Sequence, residues 1–330
     1  MRFVVYGAGA IGGVIGARLF EHGHDVLLVA RGEHARAIAQ KGLRLESPDG
    51  AVTLQIPVVE DVTAVELDPS EDVVVLATKG QDTTAALAPL AATARPSIPV
   101  LCAQNGVANE REALRRFPRV YGVVVMVPTT HLEPGVVQAS SAPTTGILDV
   151  GRFPRGTDEV AELCATVFDG SGFSARALPE IMRWKYRKLL LNLGNAVEAV
   201  FALPPEADRA LEELARREGE ACLRAAGIDF ASVEEDRRRR GDLVRVLPVG
   251  GKVRGGGSTW QSLARGAGTI EVDYLNGEVV LLGRLHGIPT PVNEALQRLA
   301  NTMASEGRPP GSLPSDALPP EVRSALKAAQ

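Results

Sequence analysis

The sequence predicts an α/β fold: a doubly wound parallel sheet followed by a mostly α-helical C-terminal domain. Three observations carry that prediction. In residues 3–31, strand, glycine-rich turn, helix and second strand follow one another within about 30 residues. Further apolar runs at 72–78, 99–103 and 120–128 alternate with helical stretches. Near residue 178 the texture changes, and helical periods take over from strand-like runs.

Phe3-Val4-Val5-Tyr6 has the β-branched and aromatic composition of a buried strand. It runs into Gly7-Ala8-Gly9-Ala10-Ile11-Gly12, a full G-x-G-x-x-G, and then into helix-forming residues 14–21. In that setting Gly7 permits the tight turn and Gly9 lets a pyrophosphate reach the backbone. Gly12 allows close helix–strand packing, with the anion at the helix N-terminus. This is the signature of a Rossmann-type dinucleotide site formed by Gly7, Ala8, Gly9, Ala10, Ile11 and Gly12. After His22-Gly23-His24 a second strand, 25–30, ends at Arg31. An NAD site usually has an acid here for the ribose hydroxyls, but none occurs before Glu33. A guanidinium pairs with a 2′-phosphate, so NADP is expected. The alternative is a solvated Arg31 with Glu33 taking the ribose.

Residues 32–41 have helical composition, and 42–59 read as short strands around the turn Ser47-Pro48-Asp49-Gly50. Residues 72–78 form a buried strand ending at Lys79, 84–94 a helix, and 99–103 a strand ending at Gln104-Asn105-Gly106. Ligands of such sheets sit beyond the carboxyl ends of the strands, where Gly7, Arg31, Lys79 and Asn105 converge. A strand at 120–128, two more within 135–150, a helix at 158–168 and a last short strand at 174–177 complete the first domain, 1–178. The second domain, 179–330, reads as helices through 203, then over 205–226, 230–247 and 269–286. It is expected to face the first across a substrate cleft. The arginine run 237–240 reads as a solvated helix face with local ion pairs, and the proline-rich tail from 307 as extended.

Composition restricts the function. With 45% hydrophobic and 23% charged residues and a net charge of −4, a soluble enzyme without nucleic-acid binding is expected. No apolar run has membrane-span length and no signal peptide precedes the first strand, so a cytoplasmic location is expected. The three cysteines and five histidines show no metal-binding spacing.

Two stretches of the second domain carry more polar residues than packing requires. In Trp184-Lys185-Tyr186-Arg187-Lys188-Leu189-Leu190-Leu191-Asn192-Leu193-Gly194-Asn195, a continuous helix would put Lys188, Asn192 and Asn195 on one face. A lysine there can serve as general acid. The second stretch contains Gly255-Gly256-Gly257-Ser258-Thr259, a loop entering a helix, and Glu271, which opens the next helix.

These residues resemble the ketopantoate reductases (2-dehydropantoate 2-reductases) in order and spacing. The matching pieces are GAGAIGG at 7–13, Arg31, Lys79, Asn105-Gly106 with Asn109-Glu110, RKLLLN at 187–192, EVDYLNG at 271–277 and HGIPTPVN at 286–293. The resemblance implies a Rossmann domain with a helical domain, and NADPH reduction of a 2-oxo acid on the route to pantothenate and coenzyme A. It implies Lys188 as catalytic lysine and Glu271 as active-site carboxylate. Asn105 and Asn192 would orient cofactor and substrate; Asn195, Ser258 and Thr259 are further substrate-binding candidates. Lys185 is a rival to Lys188. Where the family usually reads Ser-Ser/Thr-Ser-Met-x-Gln-Asp, this chain has Ser258-Thr259-Trp260-Gln261-Ser262, which leaves the substrate open. The expected partners are a small 2-oxo acid and a second copy of the chain in a homodimer. A reductase of another 2-oxo acid, a 3-hydroxy acid dehydrogenase, and a non-catalytic NADP-sensing regulator are the alternatives.

Overall fold

The computed structural model describes residues 1–266 and 268–329. In chain order they form β1 (Arg2–Tyr6), α1 (Ala10–Glu21), β2 (Asp25–Val29), α2 (Gly32–Lys41), β3 (Leu43–Ser47), β4 (Gly50–Leu54), β5 (Val58–Val59) and β6 (Asp72–Leu76). Then come α3 (Thr83–Thr93), β7 (Val100–Cys102), α4 (Asn109–Leu114), β8 (Val120–Met126), β9 (Thr129–Thr130), β10 (Val136–Ala139), β11 (Ser141–Pro143), β12 (Ile147–Arg152) and α5 (Glu159–Gly170). The remainder is α6 (Ile181–Asn192), α7 (Asn195–Val200), α8 (Pro205–Ala225), α9 (Val233–Arg240), β13 (Val244–Val246), α10 (Ser258–Ala264), α11 (Asn276–His286), α12 (Pro291–Ser305) and α13 (Pro320–Ala329).

Two compact units emerge, Met1–Lys185 with Ser232–Arg254, and Tyr186–Ala231 with Gly255–Gln330. The expected boundary at 178 therefore moves to the middle of α6, and a segment of the expected helical domain returns to the first unit. Ion pairs and the pairing of β13 with β11 hold it there. Arg239 grips Asp149 of β12 through two bonds of 2.6 and 2.8 Å, and Arg183 grips Glu235 through bonds of 2.7 and 2.8 Å. The arginine run is thus only partly a solvated face. Arg240 pairs locally with Asp236, while Arg239 is buried.

The first unit contains a seven-stranded sheet in the order β12-β8-β7-β6-β1-β2-β5. All its pairs are parallel except β12 with β8. Counting only the parallel strands, this is the doubly wound order 3-2-1-4-5-6, with the topological switch between β1 and β6. Near-continuous apolar strands such as Asp72-Val-Val-Val-Leu76 follow from burial on both faces. Alternation divides them: Phe3, Val5, Val73 and Val75 enter one core, and Val4, Val74, Leu76 and Val100 the opposite one.

The hairpin β3–β4 contributes to a second, four-stranded sheet, β4-β3-β10-β9, because β3 also pairs with β10. A Cβ on Gly13 would stand 2.7 Å from Val137 Cγ1, so α1 lies tightly against that sheet too. Residues 135–150 contain three strands rather than two. The strand expected at 174–177 appears as two isolated parallel bridges, Ile147–Ser174 and Val150–Ala177. Over the expected helix 230–247, α9 stops at Gly241 (φ +43°), and Val244–Val246 pairs antiparallel with β11.

In the second unit α7, α8, α11 and α12 enclose a core of Leu193, Val197, Leu211, Leu296 and Met303. The tail is not loose. Gly311 and Leu313 hydrogen-bond to the carbonyls of Ala199 and Val200, and α13 buries Val322 and Leu326 on that core. Pro320 opens α13, where its missing N–H costs nothing. Among the described residues no helix is long and apolar enough to cross a membrane.

Candidate active site

In the first unit the carboxyl ends of β1, β2, β5 and β6 surround a cleft of about 540 Å³. Gly7, Ala8, Gly9, Arg31 and Lys79 line it, as do Glu60, Asp61 and the imidazoles of His34 and His131. The glycines divide their work. Gly7 adopts φ +102°, and a Cβ there would stand 2.8 Å from the Thr78 amide. On Gly12 a Cβ would meet Gly7 O at 2.2 Å, which forbids a side chain between α1 and β1. Around Gly9 it would meet nothing within 4 Å, so an anion can approach that backbone. Ala10, Ile11 and Gly12 form the first turn of α1, which no side chain caps. This arrangement fits a dinucleotide pyrophosphate.

His34 ties the turn to the second sheet. The Gly135 amide donates to its Nδ1 at 2.9 Å, so the ring proton sits on Nε2, 2.7 Å from Ala8 O. The His131 ring packs against it at 4.2 Å between centroids. Burial holds the His34 pKa below its ordinary value, with the Ala8 bond opposing that shift.

Asn105 follows β7, one strand beyond β6. Its carbonyl accepts from Asn109 Nδ2 at 2.9 Å, and Asn109 Oδ1 accepts from Thr83 Oγ1 at 2.8 Å. Gln104 Nε2 bonds Thr83 Oγ1 and the Thr78 carbonyl, both at 2.8 Å. Beneath them Lys185 Nζ reaches Gln104 O at 2.8 Å and Glu110 Oε1 at 2.6 Å. Lys185 is 3% exposed and Glu110 is 0% exposed. Lys185 is thus spent on tying the end of β7 to β8 and α4, its Nζ also reaching Val123 O at 3.3 Å.

The second unit holds Lys188, Asn192, Asn195, Ser258, Thr259 and Glu271. Lys188 is half-buried and Asn192 buried on α6. The face expected to include Asn195 is broken, because the helix stops at Asn192 and α7 begins at Asn195. Asn195 instead reaches Ser258 Oγ of α10 at 3.4 Å. The Gly257 amide donates to Glu198 Oε1 at 2.5 Å and fixes the glycine loop on α7. Cβ atoms on Gly255 and Gly256 would meet the Trp260 ring at 2.9 and 2.6 Å, so the glycine run exists to admit that indole. Thr259 is buried, and Glu271, also buried, opens a 3₁₀ turn, Glu271–Tyr274, rather than an α-helix. Two other motif residues prove structural. Asn276 donates to Asn293 Oδ1 at 3.0 Å, and Asn293 reaches Ala215 O and Glu218, clamping α11, α12 and α8.

Sequence reasoning missed Glu60, Asp61, His34 and His131. In a 3-2-1 strand order the third strand ends beside the second, so the acids after Val58-Val59 were findable from topology. The histidines carry no such signal, because their meeting depends on the second sheet.

Comparison with known proteins bears on most of the chain. A family model described as ketopantoate reductase PanE/ApbA matches residues 3–155, and its C-terminal counterpart matches 180–304. A 2-dehydropantoate 2-reductase of Halobacterium salinarum is 30% identical over 93% of this chain and 100% of its own length. One from Pyrococcus horikoshii is 29% identical over 93% and 99%. The crystal structure of a PanE/ApbA family ketopantoate reductase from Ralstonia eutropha is 29% identical, with a TM-score of 0.77 over 93% of this chain and 99% of that one. A D-mandelate dehydrogenase with NADH and anilino(oxo)acetate shares the fold at 20% identity and a TM-score of 0.76, over 93% and 99%.

Proposed function

Since the chain belongs to the ketopantoate reductase PanE/ApbA family, we propose that it is an NADPH-dependent reductase of a small 2-oxo acid, with 2-dehydropantoate the leading substrate and pantoate the product. One observation carries the cofactor reading: Arg31 and Lys79 stand in the same cleft as the open Gly9 turn. A guanidinium at the end of β2 suits a 2′-phosphate, and Lys79 adds a second cation at the next strand end but one.

Bound NADPH supplies the hydride. Addition at the carbonyl carbon leaves an alkoxide, and the chain must provide its proton. Lys188 is assigned that role: its ammonium stabilises the developing oxyanion and then donates the proton. The buried pairing of Lys185 with Glu110 supports Lys188 over its rival. Glu271 holds a substrate hydroxyl or tunes the lysine. Asn105 and Asn192 present amides that orient the reacting groups without adding charge, and Asn195 with Ser258 and Thr259 lines the substrate end.

The D-mandelate dehydrogenase of the same fold, with its anilino(oxo)acetate, favours another 2-oxo acid as second reading. Trp260, absent from the usual family pattern, points the same way. NADPH oxidation followed by absorbance against a panel of aliphatic and aromatic 2-oxo acids decides. Highest kcat/KM with 2-dehydropantoate supports the first reading, and an aromatic preference the second. Tight NADPH binding without turnover on any acid would contradict both and favour a sensor.

A further inference from the structure

We propose that Glu60 sets how far the cleft prefers NADPH over NADH, by holding an anion's place on the backbone beside Arg31. The proposal rests on reading the cleft as a nicotinamide dinucleotide site. Gly32 is the first residue of α2 and Arg31 its N-cap, which supplies no capping side chain. The Gly32 amide donates to Glu60 Oε2 at 3.2 Å. An N-terminal amide next to a strand-end arginine is where a 2′-phosphate would receive a backbone hydrogen bond along with the guanidinium. Here a carboxylate already holds that amide.

The sheet positions Glu60. Residues Leu28 and Val29 pair with Val58 and Val59, and the Ala30 amide bonds Val59 O at 3.0 Å. The residue after β5 is thereby held beside the end of β2. Its neighbour Asp61 is fixed as the cap of a 3₁₀ turn, accepting from the Thr63 amide at 2.9 Å. Burial, then the charge of Asp61, push the Tyr6 phenol up, while Arg31 pulls it down, so Asp61 and Arg31 act on one corner of the cleft. Arg31 therefore shares one cleft with the two acids that follow β5, Glu60 and Asp61.

The two cofactors meet this corner differently. A 2′-phosphate brings a second anion to the Gly32 amide and must displace the Glu60 carboxylate against like-charge repulsion. A ribose 2′-hydroxyl can donate to that carboxylate in place, as it does to the acid that normally ends the second strand. Arg31 thus favours NADPH, Glu60 favours NADH, and the site accepts both.

The test uses the full chain and half-cofactor probes that involve no chemistry. Binding of 2′,5′-ADP, 5′-AMP, NADPH and NADH is measured by calorimetry for wild type, Glu60→Gln and Arg31→Ala. Glu60 is exposed, so the substitution is expected to leave the fold intact. Glu60→Gln should tighten 2′,5′-ADP and NADPH by about tenfold and weaken 5′-AMP and NADH by a few fold. Equal changes for both classes, or weaker 2′,5′-ADP binding, would overturn the role of Glu60. Wild type that binds none of the four probes would instead overturn the dinucleotide reading beneath it.

Discussion

Lys185 Nζ lies 2.6 Å from Glu110 Oε1, with both side chains buried in the first unit, whereas Lys188, three residues along the same helix, is half-buried. The pair gives the two lysines different expected phenotypes. Lys185→Met leaves the Glu110 charge buried and unpaired and should cost about 3–5 kcal/mol of stability. Adding Glu110→Gln should recover part of that loss. Lys188→Met should keep the wild-type Tm and NADPH affinity while kcat falls on the order of 10²-fold or more. Thermal melts and steady-state kinetics on the three variants check this. A large kcat loss in Lys185→Met at wild-type stability would exchange the two roles.

The glycines of the turn can be separated in the same way. Gly12→Ala drives a Cβ to 2.2 Å from Gly7 O, so it should destabilise the fold by about 1–3 kcal/mol or more. Gly9→Ala meets only open space and should leave the Tm unchanged while weakening dinucleotide binding by about tenfold or more. Loss of stability in Gly9→Ala would show that the turn itself needs this glycine.

His34 makes stability depend on pH. Its folded pKa lies below the ordinary value, so the unfolded chain binds the proton more readily. The contribution is fully present above the unfolded pKa of about 6.5 and is lost as pH falls through the lower folded value. Protonating Nδ1 also breaks the bond from the Gly135 amide. Denaturation midpoints should therefore decline more steeply below about pH 6.5 in wild type than in His34→Gln. Parallel curves would remove His34 as the source.

Arg239 anchors the returning segment. Arg239→Ala leaves Asp149 buried without its bidentate partner and should destabilise by about 3–5 kcal/mol. Kinetic constants measured well below the shifted melting temperature should stay within a few fold of wild type.

Much of this architecture was legible because it is written in local patterns. Residues 3–31 contain strand, turn and helix in sequence, and each glycine of the turn shows the spatial constraint its position implied. The boundary near 178 was not legible, because α9 has no apolar face and its segment is held by ion pairs and by the β13–β11 pairing to residues far away in sequence. The tail was misread for a different reason. Its prolines suggested extension, but the Val322 and Leu326 stripe has helical spacing and finds a core to cover. The break between Asn192 and Asn195 falls at Leu193-Gly194, a glycine on which a Cβ would stand 2.6 Å from Glu212 Oε1, and a helical period alone does not register it.

The central claim is hydride transfer to a 2-oxo acid, and isotope transfer tests it most directly. The chain is incubated with NADPH deuterated at the transferable nicotinamide position and with 2-dehydropantoate, and the product is examined by mass spectrometry. One deuterium at C2 of pantoate, formed by wild type and strongly reduced in Lys188→Met, is the expected result. Bound NADPH with no deuterated hydroxy acid, from this substrate or from any other 2-oxo acid tried, would contradict it.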